Sequence, residues 1–180
     1  MKAYRKEQGE KVTKLVVRKS TDFNIKYGEG EINQVTEILR DFVKGDIVAV
    51  NMANFQYGNL VDTVKKDTLW LSLIDTLNKK MQHRHRLKNE FTTDIQLSFI
   101  NRTRHFRNNK TVNKNWVRFY RKYPTAYALV EFSEVANDGE RAIFYFAARR
   151  GGLWGRGDLI LFHKIGFGWK FLGYLKIWVS

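Results

Sequence analysis

The chain has 180 residues, of which 43% are hydrophobic and 14% aromatic, with 32 Lys and Arg against 18 Asp and Glu for a formal net charge of +14. That length and apolar content suit one folded domain rather than a disordered chain. The absence of cysteine excludes a disulfide scaffold, a thiolate metal centre and a cysteine nucleophile.

The N-terminus, MKAYRKEQGEKVTKLVVRKS, has Leu15-Val16-Val17 as its longest apolar run. A secretory signal needs about 7–15 apolar residues and a membrane span roughly 18–20, so neither is expected here. A cytoplasmic location follows for the chain as written, and export only if a leader has been trimmed. Residues 1–20 are basic and weakly patterned. They are expected to form a loose arm, or an edge strand through Thr13–Val17, ahead of a single α+β domain over residues 21–180.

Glu31–Val43 places Ile32, Val35, Ile38/Leu39 and Phe42 at helical spacing, with Gly30 before it and Lys44-Gly45 as a stop. Asp46–Asn51 reads as a short strand and Asn51–Asn59 as a polar and aromatic loop. A second amphipathic helix is expected over Asp67–Met81, with Trp70, Ile74, Leu77 and Met81 on one face and Asp67 or Thr68 as its cap. Asp94–Ile100 alternates Ile95, Leu97 and Phe99 in the manner of a strand. Thr111–Tyr123 returns to helical spacing, and Pro124 ends it by disfavouring helix in the residue before.

The last third reads as strands at Ala128–Val135, Arg141–Ala148, Leu159–Ile165 and Trp169–Val179. Asn137-Asp138-Gly139, Gly151–Gly157 and Gly166-Phe167-Gly168 join them with hairpin chemistry. The expected fold is therefore α+β, with about three helices packed on a C-terminal antiparallel meander of four or more strands. In Trp169–Val179, strict alternation puts Trp169, Phe171, Leu175, Ile177 and Val179 on one face, and Leu172, Tyr174 and Trp178 on the other. With both faces apolar, one packs on the helices and the other lines a cavity or meets a second copy in a homodimer.

Charge is the strongest anomaly. Residues 79–122 hold thirteen basic residues and two acidic ones, a net eleven of the fourteen charges. On the third helix, Lys110, Lys114, Arg118 and Arg121 fall opposite Val112, Trp116, Phe119, Tyr120 and Tyr123 at 100° per residue. With Arg102, Arg104 and Arg107 they form a candidate patch for an anionic partner: nucleic acid, acidic glycan or an anionic lipid surface. A solvated basic face that serves solubility accounts for the same pattern.

Other constellations carry less. His83 and His85 are each followed by arginine and lack a carboxylate cluster, so no metal site and no cofactor are expected. The segment Gly151–Gly157 has the glycines of a phosphate loop, but it leads into a strand-like run rather than a helix, which makes it a hairpin with Trp154 near its tip. His163, at strand spacing among Leu159, Leu161 and Ile165, reads first as a core histidine with one satisfied nitrogen; as the candidate catalytic base it would need an orienting carboxylate, for which Asp158 and Glu131 are the candidates. No serine elbow, HExxH or paired-carboxylate signature accompanies it. The expected function is a non-catalytic binding or accessory domain; a hydrolase-like enzyme with a pocket near His163 and the Gly-rich hairpin is the alternative.

The segments NWVRFYRKYP (Asn115–Pro124), FSEVANDGERAIFYFA (Phe132–Ala147), GGLWGRGDLILFHKIGFGWKF (Gly151–Phe171) and LKIWVS (Leu175–Ser180) resemble an uncharacterised bacterial family frequent in Bacteroidetes-type genomes. The resemblance is close over residues 115–180 and loose over 31–180. It implies a shared α+β fold with a C-terminal meander, and it brings no activity. Many members of that family carry a lipoprotein-type start and a Cys-Gly pair in the hairpin, where this chain has Gly151-Gly152 and no cysteine.

Overall fold

The computed structural model describes residues 13–19, 67–81, 83, 85–88, 92–101 and 112–179. In chain order they form β1 (Lys14–Arg18), α1 (Thr68–Met81), β2 (Gln96–Ile100), α2 (Val112–Lys122), β3 (Leu129–Phe132), β4 (Ala136–Asn137), β5 (Arg141–Arg149), β6 (Gly155–Ile165) and β7 (Gly168–Val179). The expected helix over Glu31–Val43 and strand over Asp46–Asn51 lie outside the described residues.

This architecture overturns the expected α+β arrangement of about three helices on a four-stranded meander. The described residues hold two helices and one seven-stranded mixed sheet, in the order β2-β1-β3-β5-β6-β7, with β4 paired to β5 beside β3. Strand β1 is neither a loose arm nor an edge. It runs parallel to β2 on one side and to β3 on the other.

The miss has a physical cause. Hairpin connectors announce antiparallel neighbours, whereas parallel neighbours need a long crossover that leaves no local turn signature. The unbroken run Leu15-Val16-Val17 suits a strand buried on both faces, as parallel strands are. Val16 and Val17 are indeed buried on opposite faces.

Both helices cover the same face of the sheet. Trp70, Leu73, Ile74, Leu77 and Met81 of α1 pack on Ile143, Tyr145, Ala147, Leu159, Leu161, Leu175 and Ile177. Trp116 and Phe119 of α2 pack on Val16, Ile100 and Leu129. Cross-strand pairing puts Val16 beside Leu129, Leu129 beside Arg149 and Tyr145 beside Leu159, which makes the two clusters one continuous face. Asp67 caps α1 by accepting the Leu69 N–H at 2.9 Å, as its residue type favours.

Between the two helix-covered clusters lies a buried charge pair. Arg18 of β1 and Glu131 of β3 are each 1% exposed, and Arg18 Nη1 stands 3.2 Å from Glu131 Oε1. Arg149 of β5 brings its Nε to 3.6 Å from Glu131 Oε2. Three neighbouring strands are thus joined by ionised side chains as well as by their ladders.

The opposite face carries Val17, Val130, Ala148 and a row of rings. Phe146, Phe132, Phe144, Phe162 and Phe171 follow one another across β3, β5, β6 and β7 at centroid distances of 5.4, 6.2, 6.1 and 5.8 Å. Strict alternation along β7 fails here. The ladder to β6 slips twice: Phe171 pairs with Phe162 while Gly173 pairs with Leu161, and Lys176 pairs with Asp158 while Trp178 pairs with Gly157. The extra residues, Leu172 and Ile177, are bulges, and a bulge reverses the facing of everything beyond it. Phe171 therefore joins the ring row, and Leu172 and Trp178 pack against the helix-side core.

The strand expected over Ala128–Val135 is interrupted between β3 and β4. Ser133 Oγ accepts the Tyr145 N–H at 2.8 Å, a bond its own carbonyl would make in a regular ladder, and the Ser133 N–H donates to Tyr145 O at 2.9 Å.

Candidate anion-binding surface

The sequence of α2, VNKNWVRFYRK, contains no acidic residue. Its inner side is held by rings: Trp116 and Phe119 meet edge to face at 5.3 Å, and Phe119 meets Tyr120 at 5.0 Å and Tyr123 at 5.4 Å. Tyr120 donates its hydroxyl to Arg150 O at 2.9 Å, which anchors α2 to the β5–β6 turn. With the inner side fixed, helical periodicity turns Lys114, Arg118, Arg121 and Lys122 outward, and all four are exposed. Among the described residues, no carboxylate lies within ion-pair distance of Lys114, Arg118 or Arg121.

The other four residues of the expected patch, Arg102, Arg104, Arg107 and Lys110, lie outside the described residues. The structure thus brings three of the seven together on one face of α2. Lys122, which the helical wheel leaves out of the patch, extends that face, and its Nζ sits 5.6 Å from the Tyr123 ring centroid.

The β5–β6 turn beside α2 is organised by arginines laid on rings. The Arg150 guanidinium lies 4.0 Å from the Tyr127 ring and 5.0 Å from the Trp154 ring, and the Arg150 N–H donates to Trp154 O at 3.0 Å. Arg149 covers Trp178 at 4.5 Å, and Arg156 covers Tyr174 at 5.2 Å. The Gly-rich segment opens strand β6, so its N–H groups face no anion at a helix start. Arg156 Nε donates to the buried Asp158 Oδ2 at 2.6 Å, and this bond, opposed by partial burial, raises the guanidinium's already high pKa further.

Most other described arginines are neutralised. Arg141 bonds Asp67 Oδ2 at 2.9 Å and Asp138 Oδ2 at 3.1 Å, which ties the start of α1 to the β4–β5 turn. Partial desolvation of Asp138 opposes its ionisation. The N–H groups of Arg141 and Glu140 and the Arg141 guanidinium outweigh it and hold the carboxyl below the ordinary aspartate range.

His163 does not sit in an apolar surround. It is exposed near the end of β6, paired across the ladders with Arg141 and Lys170. Among the described residues, no carboxylate is hydrogen-bonded to it. Of its expected orienting partners, Asp158 serves Arg156 and Glu131 serves Arg18. His85 has a carboxylate that sequence could not locate: its Nδ1 is 2.8 Å from Glu134 Oε1, with Lys80 Nζ 3.9 Å from the same carboxylate. Among the described residues, no three His, Asp or Glu side chains converge as metal ligands.

The Arg150–Trp154 stack and the Arg18–Glu131 pair escaped sequence reasoning. The first has a faint signal in adjacent arginines flanking a Gly-Gly turn with an aromatic. The second has one in a charged residue at the end of an apolar strand, Arg18 after Val17. In comparisons with known proteins, no family model, no curated protein and no solved structure matches the chain.

Proposed function

We propose that the protein is a non-catalytic binding domain that holds a polyanion on the outer face of α2. One observation carries this reading. Lys114, Arg118 and Arg121 stand exposed, without carboxylate partners among the described residues, on a helix whose other side is locked into the sheet, while Arg18, Arg141, Arg149 and Arg156 are each met by an acid. Unneutralised cations on a rigid support attract phosphate or sulfate groups without first giving up an internal ion pair. The neighbouring Arg150–Trp154 stack supplies an aromatic surface of the kind on which unpaired bases lie. The exposed setting of His163, between Arg141 and Lys170, gives the hydrolase alternative no oriented base.

The test is a titration of single-stranded oligonucleotide, duplex oligonucleotide and heparin at two salt concentrations. Binding through α2 falls with salt at a log–log slope of about −0.7 to −0.9 per phosphate neutralised. Charge reversal by Arg118→Glu with Arg121→Glu abolishes it at unchanged thermal stability. Absence of binding to all three ligands at low salt, or binding that survives the reversal, rejects the reading.

A further inference from the structure

The far end of the β6–β7 hairpin poses a separate question. His163 is the last β6 residue paired with β5, opposite Arg141, and the Lys164 N–H still reaches Glu140 O at 2.7 Å. Beyond that point the hairpin projects past the sheet and turns at Gly166-Phe167, between the paired residues Ile165 and Gly168. Gly166 has φ +60°, and no non-glycine described residue has positive φ, which is the pattern of a type II′ turn. Such a two-residue turn leaves the second residue no room to fold back. Phe167 is fully exposed at the apex, Ile165 is 59% exposed and Trp169 47% exposed. This is an apolar point held in water by a rigid support, at the opposite end of β5 and β6 from the turn that anchors α2.

The hairpin's own charges have one sign, with the acidic Glu140 of the β4–β5 turn behind them. From residue 159 to 180 the chain has no Asp or Glu, and Lys164, Lys170 and His163 lie directly behind the apex. Lys164 is paired with Trp169, and His163 with Lys170. Phenylalanine leading, tryptophan and Lys164 level with each other behind it and Lys170 one rung further back is an order that suits a bilayer interface with anionic headgroups. A second copy docking by strand addition fits less well. The outer strand β7 is broken by bulges at Leu172 and Ile177 and carries Lys170 and Lys176, which are the devices that blunt an edge.

We propose that the β6–β7 hairpin tip inserts into the surface of an anionic phospholipid bilayer, with Phe167 and Trp169 entering the acyl boundary and Lys164 and Lys170 contacting headgroup phosphates. The site is distinct from the α2 face and does not depend on it.

The full chain is cosedimented with phosphatidylcholine vesicles with and without phosphatidylglycerol, and its tryptophan emission is followed in vesicles with brominated acyl chains. Binding is expected to require phosphatidylglycerol. Phe167→Ser with Trp169→Ser lowers the partition coefficient about tenfold or more, since each ring loses its apolar burial. Trp169→Phe retains binding but removes most of the bromine quenching, which identifies the inserted tryptophan among the five in the chain. All these residues are exposed, so unfolding does not confuse the result, and an unchanged thermal melt verifies it. Reversal of Arg118 and Arg121 on α2 leaves the quenching of the bound protein in place, so failure of the α2 reading and failure of this one are told apart. No binding to anionic vesicles, or equal binding by the double serine variant, overturns the proposal. A dimer in sedimentation equilibrium that the double serine variant dissociates also overturns it, and gives the tip to a second copy.

Discussion

Under α2, the parallel strands β1 and β3 carry Arg18 and Glu131 on the same face as Val16 and Leu129. Under α1, the antiparallel strands β5, β6 and β7 present Ile143, Leu159, Leu161, Leu175 and Ile177. The antiparallel half is assembled from neighbours in sequence through turns of a few residues. The parallel half joins residues far apart in sequence, and Arg18 and Glu131 are separated by 113 positions. Apolar contact rewards closeness and has no preferred direction. A buried cation and anion must meet within hydrogen-bond reach, so a one-residue slip of β1 against β3 would turn Arg18 to the other face and leave Glu131 without it. Charge thus helps to specify the distant pairing, and turns with apolar contact specify the local one.

Removing the anion breaks the comparison most directly. Glu131→Ala leaves the buried Arg18 and the neighbouring Arg149 facing each other without it, and is expected to cost about 3–5 kcal/mol. Equilibrium urea unfolding measures this. A double replacement by Arg18→Met and Glu131→Leu should recover part of the loss, because the fully buried Arg18 is then no longer left without its anion. A loss under about 1 kcal/mol for Glu131→Ala would mean that the parallel half does not depend on the pair.

The antiparallel half should be sensitive to shape instead. A Cβ on Gly157 would collide with the Trp178 indole and the Tyr145 hydroxyl, two groups that hydrogen-bond to each other at 2.6 Å. Gly157→Ala is expected to destabilise by about 1–3 kcal/mol through overpacking. Near-ultraviolet circular dichroism should report the displaced indole, and an unchanged spectrum would count against close packing there.

The smallest effect lies at the β4–β5 turn. Because the Asp138 pKa is lowered in the folded state, its contribution is complete above the unfolded value of about 3.8 and disappears as pH falls through the folded value. Carbon-detected NMR should place its titration below 3.8, and Asp138→Asn should flatten the loss of stability below about pH 4. A carboxyl that titrates at or above the ordinary value would show that the turn bonds are absent in solution.

Both described helices were legible from sequence because their apolar spacing is local, and α1 even announces its cap in Asp67. The hairpins linking β5, β6 and β7 were legible for the same reason, since glycine marks a turn wherever the turn occurs. The outward face of α2 followed from its helical period, so Lys114, Arg118 and Arg121 were placed before any fold was known. Tertiary structure alone decided the partners of β1, because parallel pairing leaves no mark on the residues between the strands. It alone decided the facing of Phe171 and Trp178, because a bulge is a mismatch between two strands and neither strand contains it. It also decided which charges are spent inside the protein and which remain for a partner. Arg18 and Arg118 are the same side chain in sequence, and only the distance to Glu131 separates a buried ion pair from an open cation.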